Sequence, residues 1–117
     1  MITGIHSTLS ALRAFGDKIG VAAHNVANVE TEGFKKQRAL LSEEAEQGVR
    51  ADIEQVDTPG PLIPSVENGQ TVLREGSNVD LAEEIPEAKL VQRYYQANLR
   101  LLETQDEMVG SLIDILG

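Results

Sequence analysis

Apolar or small side chains recur through residues 2–28 at Ile2, Ile5, Leu9, Leu12, Gly16, Ile19, Ala23 and Val26, in alternating steps of three and four. That spacing holds one stripe on one face of an α-helix and predicts a coiled-coil seam. Gly16 and Ala23 stand where larger side chains are expected, so a second helix can approach closely there at some cost in buried area. The same period returns at Leu81, Ile85, Ala88, Val91, Tyr95, Leu99, Leu102, Val109, Ile113 and Leu116, interrupted by Gln105 and Asp106. Asp80 followed by Glu83 has capping-box spacing and predicts a helix start near Leu81. Pro86 lacks a backbone donor and crowds the preceding turn, which predicts a kink or a fresh start at that point. At 1.5 Å per residue the two helices reach about 40 Å and about 45 Å.

Between them the pattern changes. Gly33, Gly48, Gly60, Gly69 and Gly76 punctuate the stretch, and Pro59, Pro61 and Pro64 crowd its middle, so it cannot be one helix. Val49, Ala51 and Ile53 alternate with Arg50, Asp52 and Glu54, the period of a half-exposed strand. Asn68-Gly69, between Val66 and Thr71-Val72-Leu73, signals a tight hairpin, because a type I′ turn needs positive φ at both central residues. The expected architecture is mainly α: two long terminal helices forming an antiparallel coiled-coil hairpin, with a small β or irregular insertion. One unit is expected over 1–117, with a helix over 1–28, a turn with short strands and loops over 29–80, and a helix over 81–117.

Composition narrows the function classes. The chain of 117 residues fits one domain, and its 3 % aromatic content makes the core aliphatic, which favours helices over a sandwich. Its formal charge of −9 argues against nucleic acid and against anionic lipid, both of which select basic surfaces. No cysteine is present, so there is neither a disulfide framework nor a thiolate metal site. The N-terminus lacks the marks of a cleavable secretory signal and no apolar run is long enough for a membrane span, so any export is expected to proceed without a cleaved signal and without membrane insertion.

Candidate chemistry is sparse. His6 and His24 share a helix face but stand about 27 Å apart along its axis, too far to bind one metal. Glu43, Glu44 and Glu46, like Glu83, Glu84 and Glu87, read as solvated faces, and Lys35, Lys36 and Arg38 read as a salt-bridging cluster among Glu30, Glu32, Glu43 and Glu44. No phosphate loop, nucleophile elbow or calcium loop occurs. The expectation is a protein with no enzymatic activity, cofactor, metal or small-molecule substrate. One cluster exceeds what composition requires: Asn25, Asn28, Thr31 and Gly33, which close the first helix. Asn bonds nearby backbone and Gly accepts positive φ, so this is a helix stop and turn, or a recognition element.

The segment Ala23 through Lys36 resembles the signature of the rod and hook proteins of the bacterial flagellar basal body, an Asn-x-x-Asn-x-x-Thr-x-Gly-Tyr/Phe-Lys pattern filled by Asn25, Asn28, Thr31, Gly33, Phe34 and Lys35. Ser77-Asn-Val-Asp-Leu, with Asn78 and Asp80, and Gln92-Arg-Tyr-Tyr-Gln-Ala-Asn, with Tyr95 and Asn98, resemble the C-terminal helix of the same family. Glu32 stands where that family often has Pro, and the short middle is similar to proximal rod members. The resemblance implies an axial structural subunit of the basal-body rod, exported through the flagellar type III apparatus. It would polymerise with copies of itself and other rod proteins through its terminal helices to build the drive shaft. The seam positions that would carry assembly are Ile5, Leu9, Leu12, Ile19, Val26, Val91, Tyr95, Leu99, Leu102, Val109 and Leu116. Phe15, Leu90, Leu101 and Leu112 lie off the seam and require other partners. A reading from another class is a free-standing helical-hairpin adaptor that binds a partner helix in its groove.

Overall fold

The computed structural model describes residues 2–117, and the seam position at Ile2 lies outside the described side chains. Helix α1 (Ile2–Ala27) leads into strands β1 (Gln37–Glu44), β2 (Gly48–Gln55), β3 (Leu62–Glu67) and β4 (Gln70–Glu75), and helix α2 (Leu81–Leu116) follows. The strands form two separate antiparallel hairpins, β1 with β2 and β3 with β4. The expected coiled-coil hairpin with a small insertion is therefore incorrect: the fold is helix, two β-hairpins, helix. The physical reason is that α1 divides its inward surface between two neighbours, α2 and the β1–β2 hairpin. A two-helix seam uses one stripe per helix, whereas α1 buries Thr8, Ser10, Leu12, Ala14, Val21, Ala22 and Asn25 around a wider arc.

The two helices lie antiparallel. Thr8 meets Gln105, Phe15 stacks on Tyr94 with centroids 5.6 Å apart, Lys18 pairs with Glu87 at 3.2 Å, and Asn25 reaches Glu84. Phe15 thus finds its partner within the chain, contrary to the expectation that it needs another. Gly16 admits the approach of Tyr95, whose ring a Cβ would meet at 4.0 Å. Helix α2 starts on Asp80, whose side chain accepts from the Ala82 N–H at 3.0 Å. It runs unbroken through Pro86. The expected fresh start is absent because a proline this close to the N-terminus deletes only one bond, the one to the Ala82 carbonyl, while the first turn has no intrahelical donors to lose.

Strand β1 is absent from the hydropathy pattern but pairs along its whole length with β2, from Gln37 opposite Gln55 to Glu44 opposite Gly48. The turn between them places Glu46 and Gln47 at positive φ, 66° and 63°. This hairpin lies on α1, where Ser10 accepts from the Val49 N–H at 3.1 Å and Ser7 donates to the Gln47 carbonyl. The β3–β4 turn has Asn68 at φ 51° and Gly69 at φ 77°, the positive pair that a type I′ turn requires.

The molecule is long, 81 × 24 × 18 Å, with a radius of gyration of 20.8 Å where a compact chain of this length has about 13 Å. Its accessible surface of 8230 Å² exceeds the roughly 6,200 Å² of a folded monomer of this mass. Among the described residues, only Leu12, Val21 and Val91 of the larger aliphatic side chains are buried, alongside Ala14, Ala22 and Ala39.

Candidate functional site

Two features stand out, a buried polar joint and a set of uncovered apolar faces. At the joint, α1 ends, β1 begins, and the segment before α2 returns alongside both. Asn25 is 1 % exposed, the largest fully buried side chain of the described residues. Its Oδ1 accepts from the Gln37 N–H at 2.9 Å, and its Nδ2 donates to the Gln37 carbonyl at 2.7 Å and to Glu84 at 3.2 Å. One amide thus stands in for a β-ladder partner at the start of β1 and ties it to both helices. A buried polar group held this completely locks geometry, because losing one partner strands the others.

Asn78 repeats the device one residue earlier. Its Oδ1 accepts from the Lys36 N–H at 2.6 Å, and its Nδ2 donates to the carbonyls of Val56 and Thr58. The Asn78 N–H donates to Phe34, and Gly33, at φ 69°, donates to the Glu75 carbonyl at 2.9 Å. Glu75 accepts from the Lys35 ammonium and from the Gly60 N–H, and the lysine contact first, with the backbone donor second, holds its carboxyl below the usual range. Gly60 and Gly76 touch backbone to backbone beneath this carboxylate.

The remaining motif residues stand around the joint. Asn28 donates to the His24 carbonyl and accepts from Thr31, closing α1, while His24 lies edge-on to Phe34 at 5.4 Å. Asp80 caps α2, as described. Asn98 donates to the Tyr94 carbonyl of its own helix. Tyr95, half-buried, faces Gly16. The basic cluster does form ion pairs, but with partners remote in sequence: Lys35 with Glu75, Lys36 with Glu83, and Arg38 with Glu54. Sequence reasoning missed Gln37, Gly60, Glu75 and Glu84 because their roles depend on partners 12 to 59 residues away.

Of the seam positions, Leu12 and Val91 are buried; Ile5, Ile19, Tyr95, Leu102 and Val109 are half-buried; Leu9, Val26, Leu99 and Leu116 are exposed. Gln105, on the inner side of α2, accepts from Thr8 at 3.1 Å. An apolar groove lined by Ile19, Ala23, Val26, Ile85 and Ala88 runs between the helices near the joint. Leu90, Leu101 and Leu112 are exposed, as are Ile115 and Leu116 where α2 runs beyond the described start of α1. The β3–β4 hairpin exposes Leu62, Val66 and Leu73, which its register places on one face.

The arrangement is suited to holding geometry and to binding surfaces. Among the described residues no group of three His, Asp or Glu side chains is placed to hold a metal, and no helix is long and apolar enough to cross a membrane. Comparison with curated proteins returned no match. Residues 70–115, the span of β4 and α2, match the family model of the flagellar basal body rod FlgEFG protein C-terminal region. That family is structural and is not known to be enzymatic. This match over the second hairpin strand and the C-terminal helix supports a protein of the flagellar basal-body rod family.

Proposed function

We propose that this rod-family protein is a structural subunit that polymerises through its terminal helices, with copies of itself and with other rod proteins, to build the axial drive shaft. In this reading it reaches the periplasm-spanning rod through the flagellar export apparatus without a cleaved signal. The observation that carries the proposal is the surface excess: about 2,000 Å² more accessible area than a monomer of this mass should have, with large apolar side chains exposed along α2, on both hairpins and, on α1, at Leu9 and Val26. That excess is of the size that stable interfaces bury. Association supplies the burial that the chain cannot supply alone.

The exposed positions allow a test that spares the fold. Leu101→Asp and Leu112→Asp each place a charge at a site open to solvent in the monomer and covered in the assembly, where its desolvation is not offset. Both variants should accumulate normally and match the wild-type helicity at dilutions where neither associates, while assembly and motility are lost. Motile cells carrying either variant at normal protein level would contradict the proposal.

A further inference from the structure

On α2, five large apolar side chains stand exposed in one line: Leu90, Leu101, Met108, Leu112 and Ile115. At about 100° per residue they fall within an arc of about 60°, a convex ridge along the helix. Helix α1 meets α2 about a quarter turn to one side of that ridge, through Val91, Tyr95 and Gln105. About another quarter turn on, Ile85 and Ala88 line the apolar groove between the helices, together with Ile19, Ala23 and Val26 of α1. Ridge and groove therefore open on opposite sides of the helix pair, and among the described residues no strand packs on α2 to close either.

The two surfaces are complementary in shape. The groove is concave, holds about 680 Å³ and has alanines in its wall, whereas the ridge presents long side chains. Ile19 to Val26 spans about two turns of α1, and Met108, Leu112 and Ile115 span about two turns at the end of the ridge, in the i, i+4, i+7 spacing by which a helix anchors in a groove. Charge agrees with shape. Beyond Arg100, α2 carries Glu103, Asp106, Glu107 and Asp114 and no Lys or Arg, while Lys89 on the rim of the groove is exposed and outside every ion pair among the described residues. Ridge against ridge would bring those carboxylates together, and groove against groove would leave two hollows facing each other unfilled.

We infer that the end of the α2 ridge, Met108 to Ile115, docks in the groove between α1 and α2 of a second copy. The inference rests on the polymerisation reading and names the two faces that meet. Each copy gives its ridge to one neighbour and its groove to another, and because these faces look in opposite directions the two neighbours do not compete for space. Such a heterologous contact leaves a free ridge at one end of the assembly and a free groove at the other, so each added copy presents the surface that the next requires.

Mixing two variants of the full chain, each spoiled on one face, tests this by sedimentation. Leu112→Asp places a charge on the ridge, and Ala23→Arg fills the groove from an exposed position near the C-terminus of α1, where a cation suits the helix. Both should match the wild-type helicity at dilutions where nothing associates, and each alone should self-associate at least about tenfold more weakly. An equimolar mixture should recover the wild-type affinity but stop at pairs of chains, since the intact ridge of one variant fills the intact groove of the other and both remaining faces are spoiled. Ile115→Asp mixed with Ala27→Arg, elsewhere on the same two faces, should reproduce the pairing. A mixture that associates no better than its components, or either variant associating alone as the wild type does, overturns the docking of ridge in groove, while wild-type association leaves polymerisation standing. A wild-type chain that stays monomeric throughout overturns the polymerisation reading itself.

Discussion

Alanine at Asn25 is expected to destabilise the protein by about 3 kcal/mol, because it strands the buried N–H and carbonyl of Gln37 as well as deleting three bonds. Urea unfolding of variant and wild type at one fixed protein concentration reads this as a lower midpoint. Asn25→Asp should be nearly as costly, since its carboxylate keeps the acceptor for the Gln37 N–H but opposes the Gln37 carbonyl and Glu84. Asn28→Ala, at a half-exposed residue bonded within the turn, should cost less than about 1 kcal/mol. Equal losses at the two asparagines would show that the joint does not depend on the buried amide.

The second large effect is expected at Gly60. A Cβ there would collide with the Gly76 carbonyl oxygen and meet the Gly76 and Ser77 carbonyl carbons at 2.9 and 3.0 Å. These are backbone atoms, which cannot turn aside as a flexible side chain would. Gly60→Ala should therefore part the two strands of chain that meet beneath Glu75 and cost about 3 kcal/mol or more. Gly20→Ala provides the contrast. Its Cβ would find no atom within 4 Å on an exposed helical position, so the exchange should stabilise by about 0.5–1 kcal/mol. If Gly60→Ala unfolds at the same urea concentration as wild type, the backbone contact at the base of the second hairpin is not a constraint on the fold.

The helices were legible because their signals are local. The three- and four-residue steps, the Asp80 cap and the Asn28 turn act within a few residues, and the Asn68-Gly69 hairpin is set by two backbone angles. Strand β1 was not. Leu40 and Leu41 are adjacent, which breaks the alternation, and Glu43 and Glu44 read as a solvated face. What makes Gln37–Glu44 a strand is the ladder with β2 and its support from α1, both non-local. The wider inner surface of α1 was hidden for a related reason. Thr8, Ser10, Ala14 and Asn25 are small or polar, so hydropathy does not mark them as buried, yet their size lets a hairpin lie close. The motif asparagines were visible as an unusual cluster, but whether they recognise a partner or hold the chain to itself depends on bonds that cross up to 59 residues.

The charge reading shows the same division. Pairing of the Lys35, Lys36 and Arg38 cluster was foreseeable from composition, while its partners, Glu75, Glu83 and Glu54, follow only from the strands and helix that carry them. Lys89, Arg93 and Arg100 were equally visible in the chain, but only the fold shows that they stand exposed on α2.

The central claim is that the chain completes its burial by association. Sedimentation and circular dichroism of the purified chain, followed together over a hundredfold dilution, test it most directly. Large apolar side chains stand exposed on both helices and, among the described residues, only three larger aliphatic side chains are buried, so burial within one copy barely offsets the conformational cost of ordering. Association adds burial without further backbone ordering, so helicity should rise with concentration in step with sedimenting mass. A helical signal that stays constant while the chain sediments as a monomer at every concentration would show that one copy is self-sufficient and would contradict the account.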